Sequence, residues 1–305
     1  MYDLIIIGGG PAGITAGIYA ARKKINTLLI TKEWGGQITK ASDIQNWPGE
    51  KSISGIDLMK KMVEHLKSFK LDIKEEREVI DLEKKNDNFI IRDDEDEEYE
   101  AKAVLITTGK IPRVLNIPGE EKFKGKGVSF CATCDAPLFK DKDVAVIGGG
   151  NAGFDTAFGL TKYAKKVYIL EFLEEMRGDL ATKEKLEKTG KVEFIVNAAI
   201  KEFKGDKFVE GLVHEDRNTG EDKELKIQGV FISIGMIPCA SFAEDVVEFD
   251  KTGEIIVNLK DNSTKTLGIF AAGDVTNVKY DQIVIACGEG SKAALAVDDY
   301  LKDNK

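Results

Sequence analysis

The sequence predicts an α/β fold: two Rossmann-like, three-layer ββα dinucleotide-binding domains, the second inserted in the first. Two observations carry this. A glycine turn set between a β-branched apolar run and a helical pattern occurs twice, as Gly8-Gly9-Gly10-Pro11-Ala12-Gly13 and as Gly148-Gly149-Gly150-Asn151-Ala152-Gly153. A strand-Gly-x-Ile-Pro phrase also occurs twice, ending at Pro112 and at Pro238. One such turn is weak evidence, but two with matching flanks make a repeat of one design. The length of 305 residues, 42% of them hydrophobic, suits about two cores.

Residues 3–7 read as a buried strand and Ile14, Ile18 and Ala21 as one face of the helix that follows. Between them the first glycine permits a tight turn, the second lets backbone approach a pyrophosphate, and the third lets helix and strand pack closely. The next strand, residues 27–31, ends at Thr31-Lys32-Glu33, and Glu33 is the acid that either meets a ribose hydroxyl or is a solvated loop charge. A turn-rich stretch runs through Gly35-Gly36-Gln37 and Asn46-Trp47-Pro48-Gly49, either filler or a ligand wall. Ile56, Met59, Val63 and Leu66 give an amphipathic helix over 55–69, with His65 a surface or packing residue. Alternation over 78–92 predicts a β-meander, and the acidic run 93–98 a solvated hairpin tip.

Val104 to Gly109 is a further buried strand ending in glycine, and residues 229–238 echo it. The strand 268–273 runs into Asp274, a carboxylate at a strand's carboxyl end, where α/β sheets bind ligands. A closing helix spans 282–301, with Gln282 at its start.

Ahead of the second glycine turn stands Cys131-Ala132-Thr133-Cys134-Asp135. Two cysteines at this spacing suit reversible thiol exchange, and the acid beside them suits proton transfer. The rival reading is half of a zinc site. Cys239 and Cys287 lie far off in sequence, and neither His65 nor His214 falls in a Cys/His cluster, so no metal is expected.

Lys and Arg number 44 and Asp and Glu 53, a net charge of −9 with no basic stripe, which argues against nucleic acid or an anionic membrane as partner. No apolar run is long enough to span a bilayer, and Met1 to Ile7 read as a strand, not a signal peptide, so a cytoplasmic location is expected.

Taken together, Gly8–Gly13, Gly35-Gly36-Gln37, Asn46-Trp47-Pro48-Gly49, Cys131–Asp135, Gly148–Gly153 and Ala271-Ala272-Gly273-Asp274 resemble the low-molecular-weight thioredoxin reductase family over essentially the whole chain. The second half is most similar to the flavoprotein subunit of alkyl hydroperoxide reductase, through Leu170-Glu171-Phe172, Glu175-Met176, Asn197-Ala198, Val213 to Gly220 and Gly288-Glu289-Gly290. The resemblance implies an FAD domain over 1–113 and 242–305, and an NAD(H) domain over 114–241 that carries the cysteines. It implies FAD contacts at Gly8, Gly10, Pro11, Ala12, Gly13, Thr31, Glu33, Gly36, Gln37, Asn46, Thr108, Gly109, Gly273, Asp274, Gln282 and Ile283. For the nicotinamide nucleotide it implies Gly148, Gly150, Asn151, Ala152, Gly153, Glu171 and Gly235.

The implied activity is an NAD(P)H:disulfide oxidoreductase. Hydride passes from nicotinamide to flavin N5, electrons reach the disulfide through Cys134, Cys131 becomes the thiolate that attacks a partner, and Asp135 supplies the proton. The domains rotate against one another, with hinges at Arg113–Pro118 and Pro238–Ser241. A homodimer is expected. The partner is a thioredoxin- or glutaredoxin-like disulfide protein, or a small carrier that feeds a peroxiredoxin. The hydroperoxide reductase flavoproteins carry an amino-terminal disulfide domain, whereas Met1 here begins at the flavin strand, so electrons are expected to leave to a separate protein. Ala136 replaces a glycine usual in the family, and alanine disfavours a positive φ.

The nucleotide follows from charge. Glu171-Phe172-Leu173 stands where NADPH-dependent reductases typically have His-Arg-Arg. A carboxylate accepts from a ribose 2′-hydroxyl and repels a 2′-phosphate. At about 4 Å and an effective dielectric near 20, that repulsion is roughly 4 kcal/mol, and about 1.4 kcal/mol makes a tenfold preference. NADH is the expected reductant. The alternatives are an NADPH-dependent thioredoxin reductase, a member driven by ferredoxin or free flavin, a redox-sensing flavoprotein, and an NADH oxidase that would leave the cysteines without a role.

Overall fold

A computed structural model describes residues 1–41 and 44–304, with the side chains of Thr133 and Cys134 outside the description. The chain divides into two compact units, Met1–Ile111 with Ile237–Lys305, and Pro112–Met236. The crossings lie between 111 and 112 and between 236 and 237.

In chain order the elements of the first unit begin with β1 (Tyr2–Gly9), α1 (Pro11–Lys23), β2 (Thr27–Trp34), α2 (Gly55–Lys67) and β3 (Asp72–Glu75). They continue with β4 (Val79–Lys85), β5 (Asn88–Asp93), β6 (Glu98–Ile106) and β7 (Lys110–Pro112). The second unit holds β8 (Val128–Ser129), α3 (Ala132–Asp135), β9 (Asp143–Ile147), α4 (Asn151–Leu160), β10 (Lys166–Leu170), α5 (Leu180–Lys188) and β11 (Val192–Ile195). It is completed by β12 (Ala198–Gly205), β13 (Val209–Asp216), β14 (Glu221–Lys226) and β15 (Gly229–Ile232), and β16 (Met236–Pro238) carries the chain across the second crossing. The chain then returns to the first unit with β17 (Ile269–Ala271) and α6 (Ile283–Asp303).

The two units repeat one topology. In the first, β3-β2-β1-β6 are parallel neighbours, with β17 parallel to β6. In the second the parallel order is β11-β10-β9-β15-β8. The registers correspond: Ile7 pairs with Ile30 and Ile106, and Ile147 with Leu170 and Ile232. Both faces of each sheet are covered, which is why these strands read as continuous apolar runs. In β1, Leu4 and Ile6 enter the core beneath α1, α2 and α6, while Ile5 and Ile7 enter the core shared with the antiparallel strands β4 and β5. In β9, Val144 and Val146 pack under Phe154 and Ala157 of α4, and Ala145 and Ile147 face Phe203 and Leu212 of the antiparallel β12-β13-β14 sheet.

Local chemistry sets the helix ends. Pro11 opens α1 with its preset φ, and Lys24 closes it in the left-handed region. The Ser54 hydroxyl caps α2 by accepting from the Asp57 N–H at 3.1 Å. This helix is shorter than the 55–69 expected, because Ser68 already forms its carboxyl end. The small residues Ala12, Ala16 and Ala20 of α1 face Ala286, Ala293 and Ala294 of α6 in one core, and a side chain at Gly290 would overlap the Ala12 carbonyl.

One expectation is corrected. The acidic run 93–98 is not simply a solvated tip: Asp93 is fully buried and accepts the N–H groups of Glu95 and Glu97, both at 3.0 Å, and the Tyr99 hydroxyl at 3.0 Å. Its carboxylate organises the β5–β6 turn from inside, with the Arg77 guanidinium 3.7 Å away. Among the described residues no helix is long and apolar enough to cross a membrane.

His214 on β13 is 3% exposed and its Nδ1 has no hydrogen-bond partner. Burial depresses its pKa, with the Glu215 backbone opposing. Since the native pKa lies below the unfolded value of about 6.5, the unfolded chain binds the proton first. Stability is therefore full above that pH and is lost as pH falls through the native pKa. Urea unfolding at pH 7.5 and pH 5.5 should show a smaller acid loss in His214→Leu than in the parent protein; equal losses would exclude this histidine as the cause.

Candidate nucleotide sites and the cysteine segment

The two glycine turns have the same construction. Gly8 and Gly148 adopt φ of 113° and 114°, and a side chain on them would meet the carbonyls of Thr107 and Ser233. Gly13 and Gly153 sit so close to the Gly8 and Gly148 carbonyl oxygens that a methyl group would overlap them. Gly10 and Gly150 are the N-cap positions of α1 and α4. No side-chain oxygen caps either helix, and nothing lies within 4 Å of where a side chain would start. Each helix thus presents uncapped N–H groups beside a glycine with open space at its Cβ position, the arrangement that accepts an anion such as a pyrophosphate. The sites fit dinucleotides on this ground. Pro11 supplies no N–H there, and Ala12 lies buried against Gly273, whose added side chain would stand 3.1 Å from the Ala12 Cβ. Asn151 and Ala152 are exposed, and the Asn151 amide oxygen accepts the Asp179 N–H at 2.8 Å.

The residue that follows the last matching rung of the second strand differs between units. In the second, Glu171 Oε2 accepts from the Gly149 N–H at 2.6 Å and Oε1 from the Leu173 N–H at 3.1 Å, which fixes the carboxylate beside the glycine turn. By register its counterpart in the first unit is Thr31, not Glu33, since Ile30 and Leu170 occupy matching rungs. Thr31 is buried, and its hydroxyl donates to the Glu33 carbonyl at 2.6 Å. The Glu33 side chain is exposed.

Other expected residues of the first unit gather at the carboxyl ends of β1 and β6 and the start of α6. Gly36, at φ 50°, begins a 3-10 turn, and the Gln37 amide donates to the Lys110 carbonyl at 3.1 Å. Asn46 donates to Gln282 Oε1 at 3.1 Å, just ahead of Ile283. The Thr108 hydroxyl donates to the Cys239 carbonyl at 2.5 Å, and Gly109, at φ 68°, accepts the Cys239 N–H. In the second unit Gly235, at φ 99°, accepts the Arg113 N–H at 3.0 Å.

Burial pushes the Asp274 carboxyl up to about 6, with Asp281 adding to the shift and Lys110 opposing it. Two neighbours were not anticipated. Glu289 is buried and accepts the Gly273 N–H at 2.8 Å; burial raises its pKa against that bond. Burial works against the charge of Lys110, but ion pairs to Glu254 at 2.7 Å and Asp281 at 3.1 Å hold its pKa above the ordinary value. Lys110, Glu254 and Asp281 line a polar cavity of about 550 Å³ with Asn277 and Tyr280. A charged residue directly after the strand-glycine phrase was the available signal for Lys110, and the Gly288-Glu289-Gly290 motif was the one for Glu289, though neither by itself assigns a place in the site.

In the cysteine segment the Cys131 sulfur is held in a disulfide. The side chain of Cys134, expected as its partner, lies outside the described residues. Asp135 closes the short helix α3, and its N–H donates to the Cys131 carbonyl at 3.1 Å. Ser129, buried at the end of β8, links acid and cysteine: its hydroxyl donates to Asp135 Oδ2 at 2.7 Å and accepts the Cys131 N–H at 3.0 Å. Nothing in the sequence pattern singled out Ser129, although serine bonding two residues ahead is a common turn device. Ala136 begins a 3-10 turn and is absent from the positive-φ residues, so the alanine is accommodated without left-handed backbone. Cys239 and Cys287 are free and half-buried.

The family model of the pyridine nucleotide-disulphide oxidoreductases matches residues 2–290. The chain belongs to this family. Over 303 residues it is 41% identical to a Bacillus subtilis protein named NADH dehydrogenase, covering 99% of this chain and 59% of that one. It is 39% identical to the F subunit of the alkyl hydroperoxide reductase of Staphylococcus epidermidis, covering 99% and 60%. The chain thus spans about three-fifths of the length of these curated relatives. It is also similar to the crystal structure of thioredoxin reductase from Streptococcus pyogenes, with a TM-score of 0.84, 38% identity and 99% of each chain covered. The family is thioredoxin-reductase-like, its members are built of two Rossmann-like domains as here, and its name implies a pyridine nucleotide and a flavin.

The glycines separate space for a ligand from space for the fold. Gly150→Ala should fold with an unchanged melting temperature yet bind nucleotide poorly in calorimetric titration. Gly153→Ala should lose about 1–3 kcal/mol of stability in urea, as overpacking does. Equal behaviour of the two variants would contradict the division.

Proposed function

We propose that this chain is an FAD-dependent NADH:protein-disulfide oxidoreductase, acting on a thioredoxin- or glutaredoxin-like protein, including a carrier that feeds a peroxiredoxin. The observation that carries the reading is the Glu171 carboxylate held on the Gly149 N–H of the second glycine turn. An acceptor there suits the two free ribose hydroxyls of NADH and opposes a 2′-phosphate. The relative named NADH dehydrogenase supports the same nucleotide, and the disulfide oxidoreductase family and the thioredoxin reductase likeness support a protein-disulfide acceptor.

In this reading FAD is held in the first unit by the Gly8–Gly13 turn, Thr31, Gln37, Asn46, Asp274 and the Gln282-Ile283 start of α6. The nicotinamide nucleotide is held in the second by Gly148–Gly153 and Glu171. When bound, the flavin supplies a two-electron carrier between nicotinamide and disulfide. The chain's own part is thiol and proton chemistry. Cys131 and Cys134 form the exchanging pair, which becomes a dithiol on taking up two electrons and two protons. Asp135, oriented by Ser129, passes a proton to a departing thiolate. The Cys131 thiolate attacks one sulfur of the partner disulfide and releases the other. Cys134 then displaces the reduced partner and restores the internal disulfide. A homodimer and a cytoplasmic location go with this reading.

An anaerobic assay pairing NADH and NADPH with a panel of small disulfide proteins tests it. kcat/KM with NADH should exceed that with NADPH by at least about tenfold, the effect of roughly 1.4 kcal/mol, and Glu171→Arg should reverse the order. A wild-type preference for NADPH would refute the nucleotide assignment. Cys131→Ser should leave flavin bleaching by NADH intact while abolishing protein-disulfide reduction. Asp135→Asn should slow acceptor reduction by about 10²-fold or more, the scale of a positioned acid.

A further inference from the structure

We propose that Arg217 is the positioning residue for nucleotide choice in the second unit, clamping the segment Glu171-Phe172-Leu173 so that its carboxylate stays at the glycine turn. This rests on the reading that Glu171 meets the ribose. The segment follows β10 with no helix or strand of its own, yet its backbone is tied at each residue. The Glu171 N–H donates to the Ile195 carbonyl at 2.8 Å, and the Glu171 carbonyl accepts the Ala198 N–H at 2.9 Å. The Leu173 N–H goes to Glu171 Oε1, and the Leu173 carbonyl accepts the Asn197 N–H at 2.8 Å.

The Phe172 carbonyl is the point where a side chain from another element enters. Arg217, just beyond β13 on the turn into β14, donates from Nη1 to it at 2.8 Å. The same guanidinium lies 3.9 Å from the centroid of the Phe172 ring. The Arg217 N–H donates in turn to the carbonyl of Asn197, at 2.8 Å, which is held at a φ of 55°. Arginine, Asn197 and the Glu171 segment therefore close one circuit between the β13–β14 turn and the carboxyl end of β10.

The residue types matter. Phe172 is 54% exposed, an aromatic ring that the β10 core does not hold, and the planar guanidinium covers a face of it. A lysine carries the charge but lacks the plane and the fork, so it cannot cover the ring and bond the carbonyl in the same manner. The arrangement also occupies the cation. Arg217 stands far from the segment in sequence but next to it in space, and its face and one N–H are committed to Phe172. Supporting groups of this kind decide whether a binding residue stays in productive geometry.

The test is calorimetric titration of the purified holoenzyme with NAD⁺ and with NADP⁺, which bind without reducing it, alongside KM and kcat for both reduced nucleotides. Arg217→Met should raise the Kd for NAD⁺ about tenfold, a loss on the scale of one supporting interaction. The loss should fall on KM and Kd rather than kcat, with near-UV circular dichroism unchanged. Phe172→Leu should shift the NAD⁺/NADP⁺ affinity ratio in the same direction, and the double variant should be no worse than Arg217→Met alone. Arg217→Lys should not restore the ratio. An unchanged ratio in folded Arg217→Met overturns the proposal; if that variant does not fold, an unchanged ratio in Phe172→Leu together with Arg217→Lys does so. Glu171→Gln separates the two ideas. If it shifts the ratio and the Arg217 and Phe172 variants do not, the clamp alone fails; if it leaves the ratio unchanged, the ribose reading fails with it.

Discussion

The closest constraint in each unit is the contact between a helix and the turn that precedes it. At Gly13 and Gly153 the helix backbone lies against the carbonyl of the first glycine of the turn, with no room for a methyl group. That contact sets the angle at which α1 and α4 leave their strands, and with it the direction of their uncapped N–H groups. The carbonyls of Thr107 and Ser233 close in on Gly8 and Gly148 from the neighbouring strand, so both turns are fixed from two sides. Parallel strands buried on both faces anchor the arrangement: Ile5 and Ile7 serve one core while Leu4 and Ile6 serve the other. A helix displaced from its turn would uncover the core beneath it.

On this shared frame one position sets the two units apart. Thr31 and Glu171 each follow directly on the matching rungs Ile30 and Leu170 of the second strand. A neutral hydroxyl there turns back to its own loop, whereas the carboxylate reaches the N–H of the glycine turn. The same scaffold thus carries a neutral group in one unit and a charged one in the other, and the orientation of each is set by hydrogen bonds to its own loop and turn. The cysteine segment follows the same logic at smaller scale, since Ser129 supplies a fixed partner both to the Asp135 carboxylate and to the Cys131 backbone.

Much of this was legible in the residues alone. Strand, glycine turn and helix can be read from a few consecutive positions because their cause is local: φ near 113° needs glycine, and a strand buried on both faces needs an unbroken apolar run. The repeat of the turn and of the strand-Gly-x-Ile-Pro phrase carried the fold class for the same reason, as did the spacing that singled out the cysteine segment. An acidic run, by contrast, says nothing of its burial. Asp93 lies inside its turn and its neighbours outside, a distinction set by the N–H groups of Glu95 and Glu97 that converge on one carboxylate.

The sequence by itself therefore determined the two glycine frames and their order along the chain, and it singled out the Cys-x-x-Cys-Asp segment by its spacing. Only the tertiary structure decided which residue of the first unit corresponds to Glu171, Thr31 in place of Glu33, because that depends on pairing between strands. It alone brought Lys110 to Glu254 and Asp281, Glu289 to the Gly273 N–H, and Arg217 onto Phe172. Each of those contacts joins segments well separated in the chain. A side chain's partner across such a distance is fixed by packing and register, and no short pattern of residues encodes it.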